Sequence, residues 1–284
     1  TLYLLYSIFA GLISTAMSMY IRFELTLSCN NFTIDNHSFN VMTTAHAIVM
    51  IFFFLMPTLI SGFGNWLIPL YMSVPDMAFP RMNNLSFWLM FPAFILVILS
   101  SCMDGSASTG WTLYPPLSSS LAHNSCSVDC AIFAFHLASA ASIMSGVNFM
   151  TTVLMFTSKG YDYYNIPLFI WGMFVTVFLL VLSLPVLAAA ITMLLFDRNL
   201  NCAFFDPASS SDPVLFQHLF WFFSHPEVYV LILPAFGLMS HLICFYTGSD
   251  DVFSYYSMCW AICSISFLSC IVWAHHMFTI GMDI

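Results

Sequence analysis

The stretch VLFQHLFWFFSHPEVYVLILPAFGLMSHLICFY, Val214 to Tyr246, decides how the rest of the chain is read. It is apolar almost throughout and longer than the about 20 residues that cross a hydrocarbon layer roughly 30 Å thick. Lipid offers no partners to backbone N–H and C=O groups, so a run of this kind reads as a transmembrane helix that satisfies its own backbone. Within it, His225, Pro226, Glu227 and Tyr229 fall inside five residues. One buried histidine would be an ordinary core residue. Four such groups in an apolar helix, where an unsatisfied polar group costs several kcal/mol, point to a function.

The composition extends this reading to the whole chain. Of 284 residues, 61% are hydrophobic and only 6% charged, whereas a soluble domain carries about 25% charged residues. Apolar runs bounded by Pro, Gly, Asn and Asp predict seven helices: Leu2 to Ile21, Val41 to Leu70, Ser86 to Met103, Cys130 to Thr157, Pro167 to Leu195, Val214 to Tyr246 and Val252 to Ala274. The fold class is therefore all-α, a polytopic transmembrane helix bundle in one continuous domain over residues 1–284, with several helices long enough to tilt. The first run has neither a basic leader nor a small-residue cleavage site, so it is read as a retained helix. The connections Ser28–Asn40, Pro75–Asn84, Asp104–Asp129, Lys159–Asn165 and Asp197–Pro213 show neither low complexity nor an internal repeat.

A formal charge of −9, from 13 acids against 4 bases, leaves no basic patch and excludes nucleic acid as a partner. Cys126 and Cys130, and Cys259 and Cys263, are each separated by three residues, which is not a zinc or redox spacing. Within the spans cysteine reads as a small apolar filler. Cys29, Cys126 and Cys202 lie in connections, where a disulfide stays open.

Orientation does not follow from the bases, because alternation puts Arg81 and Lys159 on one side and Arg22 and Arg198 on the other. Alternation does place His46 near the start of the second helix, His225 in the first half of the sixth, and His275 and His276 at the end of the seventh. All four lie toward one membrane face. His225 and Tyr229, four apart, project from the same helix surface, and Pro226 frees the carbonyl of Phe222. In Trp273-Ala274-His275-His276-Met277-Phe278 the adjacent imidazoles would diverge by about 100° on an ideal helix, but at a fraying end both can turn toward one ion. Three neutral imidazoles without thiolates suit copper, zinc or iron, with a coordination position left open for a small ligand.

The chain resembles the haem-copper oxidase family, specifically the amino-terminal half of subunit I of the mitochondrial cytochrome c oxidase type. The resemblance runs through Thr1-Leu2-Tyr3-Leu4-Leu5, Thr44-Ala45-His46-Ala47, Gly62-Phe63-Gly64-Asn65-Trp66, Pro75-Asp76-Met77-Ala78-Phe79-Pro80-Arg81-Met82-Asn83-Asn84, Gly110-Trp111-Thr112-Leu113-Tyr114-Pro115-Pro116 and Ser183-Leu184-Pro185-Val186-Leu187-Ala188-Ala189 to both histidine motifs. It implies the first part of a twelve-helix bundle. It further implies that His225, His275 and His276 hold copper opposite a high-spin haem a3, that Tyr229 is joined to His225 and supplies an electron and a proton, and that His46 is an axial ligand of a low-spin haem a.

By the same resemblance a proton path begins at Asp76, passes Asn65, Asn83, Asn148, Ser86 and Ser142, and ends at Glu227, although position 141 is Ala where many relatives carry Ser. Ser240 and His241 resemble the lower part of a second path whose lysine belongs to a later helix. Arg22 matches a residue bonding the low-spin haem's formyl group, Glu24 part of a cation site, and Trp111 and Trp221 aromatic residues near the redox centres. Read without the family, Asp76 is a solvated loop acid, Arg22 and Glu24 an interfacial pair closing the first helix, and the tryptophans packing.

The implied function is part of the catalytic subunit of a terminal oxidase that reduces oxygen to water with electrons from cytochrome c and pumps protons, in the mitochondrial inner membrane or, failing that, a bacterial plasma membrane. The implied partners are a complementary carboxyl-terminal subunit I chain that completes haem ligation, oxidase subunits II and III, and cytochrome c through subunit II. The chain alone is expected to be inactive. A quinol-fed oxidase is the neighbouring alternative; an ion transporter using Glu227 and Asp76, and a structural half without catalysis, are readings from other classes.

Overall fold

A computed structural model describes residues 1–26, 35–155 and 166–281. Cys29, the connection Lys159–Asn165 and residues 282–284 lie outside the described residues. Seven helices and no strand are found among those described. They are α1 (Leu2–Glu24), α2 (Asn36–Met72), α3 (Pro80–Cys102), α4 (Ser127–Met155), α5 (Leu168–Asn199), α6 (Pro213–Thr247) and α7 (Tyr255–Ser269). The first six are long and apolar enough to cross a membrane.

Local chemistry sets the helix ends. The side chain of Asp35 accepts from His37 N–H at 3.2 Å before α2, and Asp212 accepts from Val214 N–H at 2.9 Å before α6. Each satisfies a donor that the first turn leaves open. Pro80 and Pro213 open their helices where no N–H is needed. Gly248, at φ 67°, closes α6 in the left-handed conformation that costs glycine nothing. The middle of α2 departs from α geometry: Val49–Leu55 and Pro57–Gly62 are π-helical, around the donor that Pro57 lacks.

Without a hydrophobic driving force between helices in lipid, close contact comes from small residues. Gly172 of α5 and Gly237 of α6 let those helices touch: a Cβ on Gly237 would lie 2.6 Å from Phe169 Cα, and one on Gly172 would lie 2.9 Å from the Leu233 carbonyl oxygen. Phe52, Phe53, Phe149, Phe169, Phe216, Phe220 and Phe223 fill the interior between α2, α4, α5 and α6.

Contacts near the helix ends define two ends of the bundle. At one, Gly110 N–H donates to Thr44 Oγ1 at 3.0 Å, and Arg198 reaches Asp129 and the loop before it. At the other, Phe79 N–H donates to Asn148 Oδ1 at 2.8 Å and Phe169 N–H donates to His241 Nε2 at 3.2 Å.

The seventh helix is shorter than the apolar run Val252 to Ala274 predicts. It begins after Ser254 in the left-handed region, φ 46°, ends at Ser269, and is followed by a 3-10 turn over Trp273–Met277. Fifteen residues span only about 22 Å at 1.5 Å each. The redirection has a packing cause: Trp273 turns back onto α6, where its Nε1–H donates to His218 Nδ1 at 3.3 Å and its ring meets Phe222 edge-on.

Candidate metal centre

α6 carries His225 into the interior at 7% exposure, and the 3-10 turn after α7 brings His275 and His276 against it. One ligand atom from each of the three rings lies within 4.8 Å of the others. His225 Nδ1 and His276 Nε2 are 3.1 Å apart. Two imidazole nitrogens at about 2.0–2.1 Å from one ion stand roughly 2.9–3.4 Å apart between right-angle and tetrahedral arrangements, so the spacing fits a shared ion. His225 packs perpendicular to His275, ring centres 4.5 Å apart, and Tyr229 sits one turn on, 4.9 Å from the His225 ring. The His275 and His276 rings stand 4.2 Å apart at 38°, so the two side chains turn toward one point although a 3-10 turn sets adjacent residues about 120° apart.

Aromatic groups fix the exposed side of the trio. The Trp221 ring stacks on His276 at 3.9 Å and 7°, and its Nε1–H donates to the Tyr114 hydroxyl. Trp111 meets Trp221 edge-on at 6.4 Å, so both tryptophans singled out in the sequence stand beside the imidazoles. Glu227 is 1% exposed and neither carboxyl oxygen has a hydrogen-bond partner among the described residues.

His46 is half-buried on α2 and held by α1. Its Nδ1 lies 2.9 Å from the Ser14 carbonyl oxygen, which can only accept, so Nδ1 carries the proton; Ser14 Oγ donates to the His46 carbonyl at 3.1 Å. Nε2 is left as the acceptor nitrogen, the tautomer in which a ligating histidine is held by its second partner. Ser14 was not signalled by the sequence, since a serine in an apolar helix is common. Arg22, exposed, and Glu24, partly exposed, stand at the last turn of α1, toward the same end as His46.

The polar residues near Asp76 form a connected group. Asn148 accepts from Phe79 N–H and Thr152 Oγ1 from Ala78 N–H at 3.0 Å. Asn83 Nδ2 donates to Asn65 Oδ1 at 2.8 Å, and Ser86 Oγ donates to the Asn83 carbonyl at 2.7 Å. Ser145 Oγ donates to Ser86 Oγ at 3.2 Å, and Tyr3 shares a 2.7 Å bond with Ser86. Beyond them Tyr3, Ser61, Ser142, Ser145 and Ala141 line a cavity of about 10 Å³, the room of about one water. Phe52, on its wall, stacks on Phe223, four residues before Glu227. Asp76 is exposed and accepts from Met77 N–H at 2.7 Å. Among the described residues no hydrogen bond joins this group to Glu227. Ser240, whose hydroxyl donates to the Phe236 carbonyl at 2.8 Å, and His241, stacked on Tyr71 at 5.4 Å, stand apart near the end of α6. Cys126 and Cys202 are free thiols, so neither forms the disulfide left open above.

Along its full length, residues 1–284, the chain matches the family described as Cytochrome C and Quinol oxidase polypeptide I. The chain belongs to this family. Proteins named cytochrome c oxidase subunit 1 are similar throughout: that of Candida albicans is 49% identical over 284 residues, 100% of this chain and 53% of the relative. Those of Debaryomyces hansenii and Eremothecium gossypii are 47% and 46% identical over 283 residues, 99% of this chain and 53% of each relative. The chain spans about half the length of the curated relatives it matches and corresponds to their amino-terminal part. The oxidase family implies haem and copper as cofactors. The donor set fits them: among the described residues three imidazoles converge without a thiolate or carboxylate ligand, which suits copper, the buried Nε2 of His225 has no partner there, and His46 offers a nitrogen for iron.

Proposed function

We propose that this chain supplies the copper ligands and one haem ligand of a terminal oxidase that reduces oxygen to water with electrons from cytochrome c, coupled to proton pumping in the mitochondrial inner membrane. The observation that carries the proposal is the convergence of His225, His275 and His276 within 4.8 Å. Bound copper and haem iron would provide the redox chemistry and the place for oxygen. His225, His275 and His276 would hold the copper, and His46 Nε2 the low-spin haem a. Tyr229, against His225, would give a proton and an electron from its phenol, and Trp221, stacked on His276, with Trp111 beside it, would steady the imidazole.

Asp76 would take up protons at the opposite end of the bundle. The bonded amides and hydroxyls of Asn83, Asn65, Asn148, Ser86 and Ser145, with the cavity at Ser142, support a file that orients water toward Glu227. Glu227, buried with no partner among the described residues, would end that file. Ser240 and His241 are proposed for the second path, Arg22 for the haem formyl group and Glu24 for a cation.

The remaining haem ligands would come from the part of subunit I that the relatives carry beyond the matched stretch, whether in a companion chain or a continuous one. Oxidase subunits II and III complete the complex, and subunit II receives the electrons of cytochrome c. The similar proteins named cytochrome c oxidase subunit 1 favour that donor over quinol. An ion path alone would have no use for three converging imidazoles.

The test is metal and haem analysis of the purified complex with and without His276→Ala. The unaltered complex is expected to hold copper and haem and to consume oxygen with reduced cytochrome c, and the variant to lose copper and turnover. A complex with neither copper nor haem, or a variant with undiminished turnover, refutes the proposal.

A further inference from the structure

Arg198 sits at the last turn of α5 with its side chain 3% exposed. A buried guanidinium is costly unless its donors are matched, and here four of its five N–H groups have acceptors. Nε donates to Asp129 Oδ1 at 2.7 Å, Nη1 to the carbonyls of Ser118 and His123 at 2.6 and 2.9 Å, and Nη2 to the Ser125 carbonyl at 2.8 Å. Three carbonyls of one loop thus converge on a single cation. A lysine could not reproduce this, because an ammonium lacks the planar fork.

The contacts continue inward without a gap. Ser118 N–H donates to the Tyr114 carbonyl at 3.1 Å, and Ser118 Oγ to the Leu113 carbonyl at 2.8 Å. These bonds hold Leu113 at φ 51°, a left-handed conformation unfavourable to leucine, with its side chain buried. The turn aims the Tyr114 hydroxyl at Trp221 Nε1–H, and Trp221 lies flat on the His276 ring. His276 has no such support from its own segment, which is a single 3-10 turn with both histidines exposed.

We propose that Arg198, with Asp129, is a positioning residue for the copper ligand His276. The clamp fixes the loop, the loop fixes Tyr114, Tyr114 fixes the Trp221 ring plane, and that plane sets the imidazole. The inference rests on the copper-site reading given above. Partners outside the ligand shell of a metal typically change its affinity by about 10- to 100-fold when removed, and that is the scale expected here.

The test uses the assembled oxidase carrying Arg198→Lys, Tyr114→Phe, or both, equilibrated with a graded copper chelator. Copper is counted per haem against that of the copper-bearing partner subunit, which these variants do not touch, and the low-spin haem spectrum is recorded in parallel. Each single variant is expected to release subunit I copper at roughly tenfold lower chelator, with the low-spin spectrum unchanged. The double variant is expected to be no worse than the more affected single one, because both act through one chain. Equal copper retention in Arg198→Lys and the unaltered protein overturns the inference. So do additive losses, or copper and low-spin haem lost together, since both describe a general support of the fold. If Arg198→Lys does not accumulate, Asp129→Asn, which keeps Arg198 and its three carbonyl contacts, is read the same way. An unaltered complex that holds no copper in subunit I defeats the underlying reading instead.

Discussion

α6 and α7 deliver imidazoles to the same point by different means. α6 runs 35 residues through Pro226 and Pro234, is pressed against α5 at Gly172 and Gly237, and holds His225 in a fully packed surrounding. α7 has 15 residues, and Trp260 and Phe267 on it are 75% and 70% exposed. Its two histidines follow its end, on a turn braced from α6 by Trp221 and by the Trp273–His218 bond. One member of the trio is therefore set by helix packing, and the other two borrow their position from α6. A site assembled in this way has its weak side at His275 and His276.

The largest effect expected from breaking this arrangement is that of His225→Ala. Removal of the central ligand should lower oxygen consumption by more than about a hundredfold, beyond what loss of a supporting residue does, and deplete subunit I copper in metal analysis. Next comes the packing of α6. Gly237→Ala sets a methyl against the Phe169 backbone, and overpacking of this kind costs about 1–3 kcal/mol. The melting midpoint of the purified complex should fall, and an unchanged midpoint would show that α5 and α6 separate freely.

The smaller effects belong to the α7 side. Trp273→Phe keeps an aromatic ring but removes the donor to His218, a loss of about 1 kcal/mol. It should loosen copper in a chelator titration while His46 still gives an unaltered low-spin spectrum. Phe267→Ala, on the exposed face of α7, should change the stability of this chain by less than about 0.5 kcal/mol. A larger drop confined to the assembled complex would locate a neighbour on that face.

The long spans were legible because lipid leaves a helix no alternative, and the predicted runs for α1 to α6 find every span, though α2 and α3 start five and six residues earlier than predicted, at Asn36 and Pro80. The end of α7 was not, since Ile271-Val272-Trp273-Ala274 is as apolar as the helix before it and nothing local marks the bend. What bends it is Trp273 meeting His218 and Phe222, a contact across 55 positions of sequence. The π-helical middle of α2 had only Pro57 as a signal. His225, Glu227, Tyr229, His275 and His276 were visible as polar groups in apolar runs. Ser14 and Tyr114 were not, because their importance lies in what they face. Arg198 was read only as one of four bases bearing on orientation. A base within the last turn of an apolar helix, with Asp129 opening the helix before it, was the available sign of a buried pair.

The most direct test of the shared ion is a diffraction map of the assembled oxidase recorded at the copper absorption edge. The account predicts one anomalous peak about 2.0–2.1 Å from a ring nitrogen of each of His225, His275 and His276. Rings that point apart, with no peak between them, would contradict it.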